Sequence, residues 1–358
     1  MMGDNLKNAL VLIADESVPN AELLESIFQE QGARTITASC GEEALGIVKE
    51  RSQEIDLTVF DISMPGLDGV QFTGKVRAEP DIEQTPIILT TTEDNNSSAL
   101  ELGLEAGAND YVQKPIVARE ILLRSRSILR QSAMRELQVV ELTNEIIGHR
   151  DVAMFGWAKI AEYRDPETGS HLKRIQEYTY LLAKRLASEG PYKEQMDSGF
   201  IFNIYAASPL HDIGKVGIVD DILLKPGRLT PEEFEIMKTH AEKGGKILDE
   251  ANRRLGGSPL IAMARDIALC HHEKWDGSGY PQGLKGEEIP LCARIMALAD
   301  VYDALVAKRV YKEAIEHEDV LEIILEGSGS HFDPIVVRTF AEISEKFATI
   351  KERLKELP

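Results

Sequence analysis

Residues Asp56–Gly69 read DLTVFDISMPGLDG. A short apolar run rich in β-formers ends on an acid, Asp61, and a Pro-Gly break follows at once. That is the pattern of a buried strand that delivers a carboxylate to a loop. Similar runs stand on either side at Ala9–Ala14, Arg34–Ala38, Pro86–Thr91 and Asn109–Val112. Helix-period stretches separate them at Asn20–Gln31, Gly41–Glu50, Val70–Ala78 and Ser97–Ala106. Strands alternating with helices predict an α/β domain built on a doubly wound, five-stranded parallel sheet.

In such sheets reactive groups collect at the carboxyl ends of the strands. Asp15 and Glu16 follow the first strand, Asp61 ends the third, Thr91 ends the fourth and Lys114 follows the fifth. Three carboxylates brought together are costly unless a hard cation joins them, and Mg²⁺ with oxygen ligands suits that task. Asp61 could then act as a nucleophile towards a phosphoryl donor, with Thr91 and Lys114 holding the transferred oxygens.

The chain has 358 residues, 43% apolar and 28% charged, enough for two domains that each bury a core. Its formal net charge of −20 speaks against a broad nucleic-acid surface, which needs clustered cations. A small anionic substrate remains compatible, because bound metal ions reverse the field inside one pocket. Cys40, Cys270 and Cys292 form no C-x-x-C pair, as expected in a reducing compartment. The first residues lack the pattern of a signal peptide, and no uncharged run is long enough to cross a bilayer. The expectation is a cytoplasmic protein without direct membrane or nucleic-acid binding.

From Val117 to Ile147 there is neither Gly nor Pro, which predicts one long helix. Ala133, Leu137, Val140, Asn144 and Ile147 follow a three-four spacing suited to a helix seam between two subunits; packing on its own domain is the alternative. The expected domains are residues 1–118, a connecting helix over 119–149, and an all-α bundle over 150–358.

The bundle carries a histidine constellation. His171 lies in DPETGSH, His211 and Asp212 in PLHDIGK, His240 in MKTHAEKG, His271 and His272 in ALCHHEKWDGSGYP, and Asp300 in ALADVYDAL. Helical bundles hold di-metal sites with such inward-pointing imidazoles and carboxylates. Neighbouring helical residues diverge by about 100°, so adjacent ligands can serve two ions and Asp212 can bridge them. Paired ions produce hydroxide at neutral pH and neutralise phosphate charge. Mixed imidazole and carboxylate ligands suit Fe, Mn, Ni or Zn. His149, His317 and His331 fall outside the set and read as structural, and Cys270 reads as core.

The first 115 or so residues resemble the receiver domain of bacterial response regulators. That resemblance implies phosphorylation at Asp61 by a cognate histidine kinase, with Asp15 and Glu16 as metal ligands. Tyr111 matches the family's aromatic switch position, and Thr92 stands where a small Ala is usual and could narrow access. Residues 150–340 resemble the HD-GYP branch of the HD phosphohydrolases, through HDIGK at His211–Lys215, KPGRLTPEE at Lys225–Glu233, HHEKWDGSGYPQGLKGEEIP at His271–Pro290 and HFDP at His331–Pro334.

The second resemblance implies metal-dependent hydrolysis of cyclic di-GMP to pGpG, GMP or both. It implies two or three divalent transition-metal ions, Fe or Mn ahead of Ni or Zn. The ligands would be His171, His211, Asp212, His240, His271, His272 and Asp300, with Glu167 helping to hold a third ion. Lys215 would contact the scissile phosphate, Arg309 and Lys312 the other phosphate, and Tyr280 a guanine or the edge of the metal network. Asp303, one turn beyond Asp300, could exchange roles with it. Asp165 reads equally as a supporting acid or a helix N-cap. The loop Trp275–Pro281 could approach the ligand or dock a partner, such as a diguanylate cyclase (GGDEF) protein. Two further readings stand beside this one: a cyclic di-GMP-sensing adaptor with little turnover, and a hydrolase of another cyclic dinucleotide.

Overall fold

The computed structural model describes residues 6–92, 97–162, 170–307 and 315–355. The chain divides into two compact units, Met1–Asn144 and Glu145–Pro358.

In the first unit, β1 (Leu10–Ala14), β2 (Arg34–Ala38), β3 (Leu57–Asp61), β4 (Ile87–Thr91) and β5 (Asp110–Gln113) form one parallel sheet in the order β2-β1-β3-β4-β5. Helices α1 (Val18–Gln29), α2 (Gly41–Glu50), α3 (Gly69–Ala78) and α4 (Ser97–Glu105) alternate with the strands. The three inner strands are buried throughout, which is why they read as continuous apolar runs; the edge strands β2 and β5 are partly exposed. Strand order reverses between β1 and β3. Chains leaving these strands diverge there and open a crevice at their carboxyl ends. Asp15 and Asp61 stand at that crevice.

Helix α5 runs from Ala118 to Glu162, fifteen residues beyond the expected end at Ile147. Gly148 and Gly156 lie inside it, and neither would bring a Cβ within 4 Å of another group. Beyond them Met154 and Ala158 are buried in the second unit's core. Their packing outweighs the roughly 1 kcal/mol that each glycine costs a helix. Leu137 and Val140 of the expected seam are exposed.

The second unit is all helical: α6 (His171–Ser188), α7 (Ser198–Ala207), α8 (Asp220–Leu223), α9 (Pro231–Arg254), α10 (Pro259–Cys270), α11 (Leu291–Val306), α12 (His317–Glu326) and α13 (Pro334–Arg353). A 3₁₀ stretch, Ser208–Gly217, continues α7. Tyr178 stacks on Phe347 at 4.4 Å, and Tyr302 and Phe340 close edge-on around Phe347, so α6, α11 and α13 share one aromatic centre. Among the described residues, no helix is long and apolar enough to cross a membrane.

Two of the quoted motifs are structural devices. In KPGRLTPEE, Thr230 and Glu233 form a capping box at the start of α9, and Lys225 Nζ donates to both oxygens of Glu233. In HFDP, the buried Asp333 accepts from Ile335 N–H at the start of α13, from Tyr192 Oη–H and from Arg294 Nη1. His149 is exposed, His317 meets Tyr302 Oη at 2.9 Å and His331 stacks on Phe332, in keeping with structural roles. Cys270 is core, its thiol pushed up to about 12 by burial.

Gly148 is exposed within α5 and unconstrained by neighbours. Gly148→Ala is therefore expected to raise stability by about 0.5–1 kcal/mol in a chemical denaturation curve. A destabilised variant would contradict the helix there.

Candidate functional site

The crevice of the first unit is organised by Lys114. Its Nζ donates to Asp15 Oδ2 at 2.8 Å and to Asp61 Oδ2 at 2.6 Å. Burial works against the ammonium charge, but the two carboxylates outweigh it and raise the Lys114 pKa. Asp15 is held from its other oxygen by Ser17 N–H, and Asp61 by Ser63 N–H. The backbone N–H of Lys114 donates to the Thr91 carbonyl, which ties the end of β5 to the end of β4. Thr91 is buried, and its hydroxyl meets the Thr92 carbonyl at 3.3 Å. Glu16 is exposed beside Asp15, and Thr92 is exposed at the end of β4. Tyr111 is half-buried on β5, with the Arg124 guanidinium 5.7 Å from its ring.

The second site gathers residues from five parts of the bundle. His171 opens α6, His211 and Asp212 lie on the 3₁₀ stretch, His240 is on α9, His271 and His272 form the turn after α10, and Asp300 is on α11. The expectation that the His–Asp and His–His pairs sit on α-helices is thus corrected. The tighter 3₁₀ turn spreads His211 and Asp212 further apart around the axis.

One ligand atom each from Asp212, His240, His271 and His272 lies within 4.8 Å of the others, and His171, His211 and Asp300 do the same. Asp212 stands between the groups. Its Oδ1 is 3.3 Å from His240 Nε2 and 3.8 Å from His271 Nε2, and its Oδ2 is 3.3 Å from His211 Nε2. Lys215 Nζ lies 2.8 Å from the same Oδ2. Asp300 Oδ1 is 4.0 Å from His171 Nε2 and 3.8 Å from His211 Nε2.

Backbone carbonyls aim three of the rings. His211 Nδ1 meets the Ser208 carbonyl at 2.9 Å, His240 Nδ1 the Met237 carbonyl at 2.8 Å, and His271 Nδ1 the Ile267 carbonyl at 3.0 Å. A carbonyl only accepts, so the proton resides on Nδ1 and the Nε2 lone pair faces the site. These three Nε2 atoms and Asp212 Oδ1 are buried and make no hydrogen bond. Orphaned acceptors of this kind are costly unless a cation takes their lone pairs. His171 is aimed by Asp303, whose Oδ2 is 2.7 Å from His171 Nδ1 while Arg174 grips both of its oxygens. Asp303 thus faces away from the ligand set, and Asp300 is the acid that faces into it.

The titration behaviour suits cation binding. Burial holds His271 well below its usual range, lowers His240, and, with His240 nearby, brings His272 to about 3. Burial opposes the Asp212 charge, but Lys215 and the surrounding imidazoles hold its pKa well below the usual value. For His211, burial is outweighed by Asp212 and Asp300, which raise it. Ionised Asp212 and neutral His240, His271 and His272 are the forms that ligate metals.

Tyr280 borders this group, its ring 4.7 Å from His272. Burial and the charges of Asp212 and Asp300 raise its pKa, so the phenol keeps its proton. Trp275 is half-buried: its backbone N–H donates to the His331 carbonyl, and Arg294 lies against its ring. Glu167, Arg309, Lys312 and Asp165 lie outside the described residues.

Two participants, Arg174 and Glu162, escaped sequence reading, and Asp303 reads there only as an alternative to Asp300. Arg174, on the same helix as His171, grips the Asp303 carboxylate that aims His171 from across the bundle. Glu162 lines a small cavity with His171, His211, Asp212 and Lys215, and its Oε1 is buried without a hydrogen bond. Gly214 of HDIGK lets the 3₁₀ stretch reach α9: a Cβ there would sit 1.9 Å from the His240 carbonyl oxygen and 2.5 Å from Gly244 N. Gly214→Ala must therefore push His211 and Asp212 away from His240. It is expected to lower bound metal by at least about tenfold in elemental analysis, since metal sites tolerate only a few tenths of an ångström.

Family models match both halves: a response regulator receiver domain over residues 11–126 and an HD domain over residues 157–336. A probable cyclic di-GMP phosphodiesterase of Vibrio cholerae serotype O1 is 43% identical, covering 97% of this chain and 82% of that one. The cyclic di-GMP phosphodiesterase response regulator RpfG of Xanthomonas campestris pv. campestris is 34% identical, covering 90% of this chain and 85% of that one. A 3'3'-cGAMP-specific phosphodiesterase 2 of Vibrio cholerae is 42% identical over 57% of this chain and 36% of that one. This chain belongs to the response regulators that join a receiver domain to an HD domain.

Proposed function

We propose that the second unit is an HD-GYP phosphodiesterase that hydrolyses cyclic di-GMP to pGpG, GMP or both, under control of phosphorylation at Asp61. The observation that carries the reading is Asp212, set between two groups of imidazoles with Lys215 at its side. His171, His211 and Asp300 would hold one divalent ion, His240, His271 and His272 a second, and Asp212 would bridge them. Glu167 would help to hold a third. Fe or Mn suits this donor set ahead of Ni or Zn. Such ions, when bound, supply Lewis acidity that lowers the pKa of water and neutralises phosphate charge.

The chain's own groups do the rest. Carbonyl anchors keep the imidazoles in one tautomer, so no reorganisation is needed when substrate arrives. The Lys215 ammonium is poised for a non-bridging oxygen of the scissile phosphate. Tyr280 offers a phenol donor at the edge of His272, and Arg309 and Lys312 are assigned to the second phosphate. Water adds across one P–O3′ bond, which opens the ring to pGpG; a second hydrolysis gives two GMP.

In the receiver, Asp15, Glu16 and Asp61 would bind Mg²⁺, a histidine kinase would supply the phosphoryl group to Asp61, and Thr91 and Lys114 would hold its oxygens. The connecting helix over residues 119–149 would pass the bias from the domain over 1–118 to that over 150–358. The exposed Leu137 and Val140 support homodimer formation through that helix. The GYP loop would dock diguanylate cyclase (GGDEF) proteins. The likeness to a 3'3'-cGAMP-specific enzyme makes a mixed cyclic dinucleotide the competing substrate.

Purified anaerobically and loaded with Mn or Fe, the protein is expected to turn over cyclic di-GMP faster than 3'3'-cGAMP; binding without product would favour the adaptor reading. His211→Ala and Asp212→Ala are each expected to abolish turnover and lose metal, and full activity in either would overturn the ligand assignment. Asp61→Ala is expected to keep basal turnover and lose its response to acetyl phosphate. A variant that still responds would remove Asp61 as the acceptor.

A further inference from the structure

Glu273 follows the His271–His272 pair directly and is 2% exposed. Its carboxylate reaches the loop that follows Tyr280. Oε1 accepts from Gln282 N–H at 2.7 Å and Oε2 from Leu284 N–H at 3.1 Å. Both oxygens are thereby engaged, and Glu273 belongs to neither of the two groups that could hold a metal. Hydrogen bonds from backbone N–H groups to a buried carboxylate are among the stronger ones.

These two bonds close a loop around Tyr280. On its near side Tyr280 N–H donates to the His272 carbonyl at 3.2 Å. Gly279 lies so close to the 273–274 backbone that a Cβ would sit 2.3 Å from Lys274 N and 2.5 Å from Glu273 Cα. The Tyr280 ring then lies 4.7 Å from His272 at an interplanar angle of 30°. The loop is thus pressed flat on the turn that carries two of the imidazoles, with Glu273 as its fastening.

We propose that Glu273 is a positioning residue: its buried carboxylate clamps the Gly277–Leu284 loop and so fixes Tyr280 against His272, where substrate meets the metal ligands. This rests on the reading of the centre as a cyclic dinucleotide phosphodiesterase. Glu273→Gln exchanges one acceptor for a donor and breaks one of the two bonds. In the metal-loaded full-length protein it is expected to raise KM for cyclic di-GMP about tenfold, with kcat within about threefold and metal content unchanged. In a Tyr280→Ala background the same substitution should add nothing, because residues acting as one unit are not additive. Loss of metal from Glu273→Gln, an unchanged KM, or full additivity with Tyr280→Ala would overturn the proposal.

Hydrogen exchange on the wild-type protein tests the clamp without any variant. The Gln282 and Leu284 amides are expected to exchange as slowly as core helix amides, and fast exchange at both would overturn it. If wild-type protein leaves cyclic di-GMP intact while these amides stay protected, the substrate reading falls and the clamp stands.

Discussion

Four imidazoles and a carboxylate buried in one space set the terms for the second unit. His211, His240 and His271 each donate a hydrogen bond from Nδ1–H to a carbonyl of their own chain segment. What remains is a set of inward lone pairs in a dry environment, beside the negative Asp212. In a protein without a ligand for them this arrangement costs several kcal/mol in unmet hydrogen bonds. Divalent cations bound there would satisfy these acceptors together. The rest of the bundle holds that set together against its own desolvation.

The supporting structure follows from this need. A carbonyl fixes a ring only if the backbone bearing it is rigid, and the carbonyls used lie one turn back along α9, α10 and the 3₁₀ stretch. His171 opens α6, and its ring is aimed differently. Asp303 takes that part instead, itself fixed by Arg174 from the same helix as His171. Close approach of the segments then demands small residues. Gly214 supplies it where the 3₁₀ stretch meets α9, and Gly244 lies 3.3 Å, measured from its would-be Cβ, from both Ala268 Cβ and Gly214 N.

Much of this was legible in the sequence, for identifiable reasons. The inner strands announced themselves because burial on both faces removes alternation, and their ends located Asp15, Asp61 and Thr91, while Lys114 follows the edge strand β5. The ligand set was legible because its residue types are rare in apolar helices. The conformation of the His211–Asp212 pair was not legible, since α and 3₁₀ turns share one apolar pattern over a few residues. The end of α5 was missed because Gly148 and Gly156 look like breakers when the buried Met154 and Ala158 are unknown. Asp303 resembled a ligand because it is one turn from Asp300; only the position of Arg174, 129 residues away, shows which way it faces. Glu162 carried no signal in the sequence, and only the cavity it lines with His171 and His211 marks it.

The two units share one electrostatic device. In each, a lysine is held against carboxylates at hydrogen-bond distance: Lys114 against Asp15 and Asp61, Lys215 against Asp212. Such a lysine offsets the negative charge of the carboxylates beside it before any ligand binds. It is also the group whose partner must change when a phosphate enters, because phosphate oxygens compete for the same donor hydrogens. A phosphoryl group on Asp61 would thus draw Lys114 from a contact shared with Asp15 onto a single new centre of charge. The residues after Lys114 lead at once into α5, so a shift in that lysine acts on the first turn of the helix that carries the chain into its second unit. Under the proposed control, coupling between the sites would need a helix whose start responds to phosphorylation of Asp61.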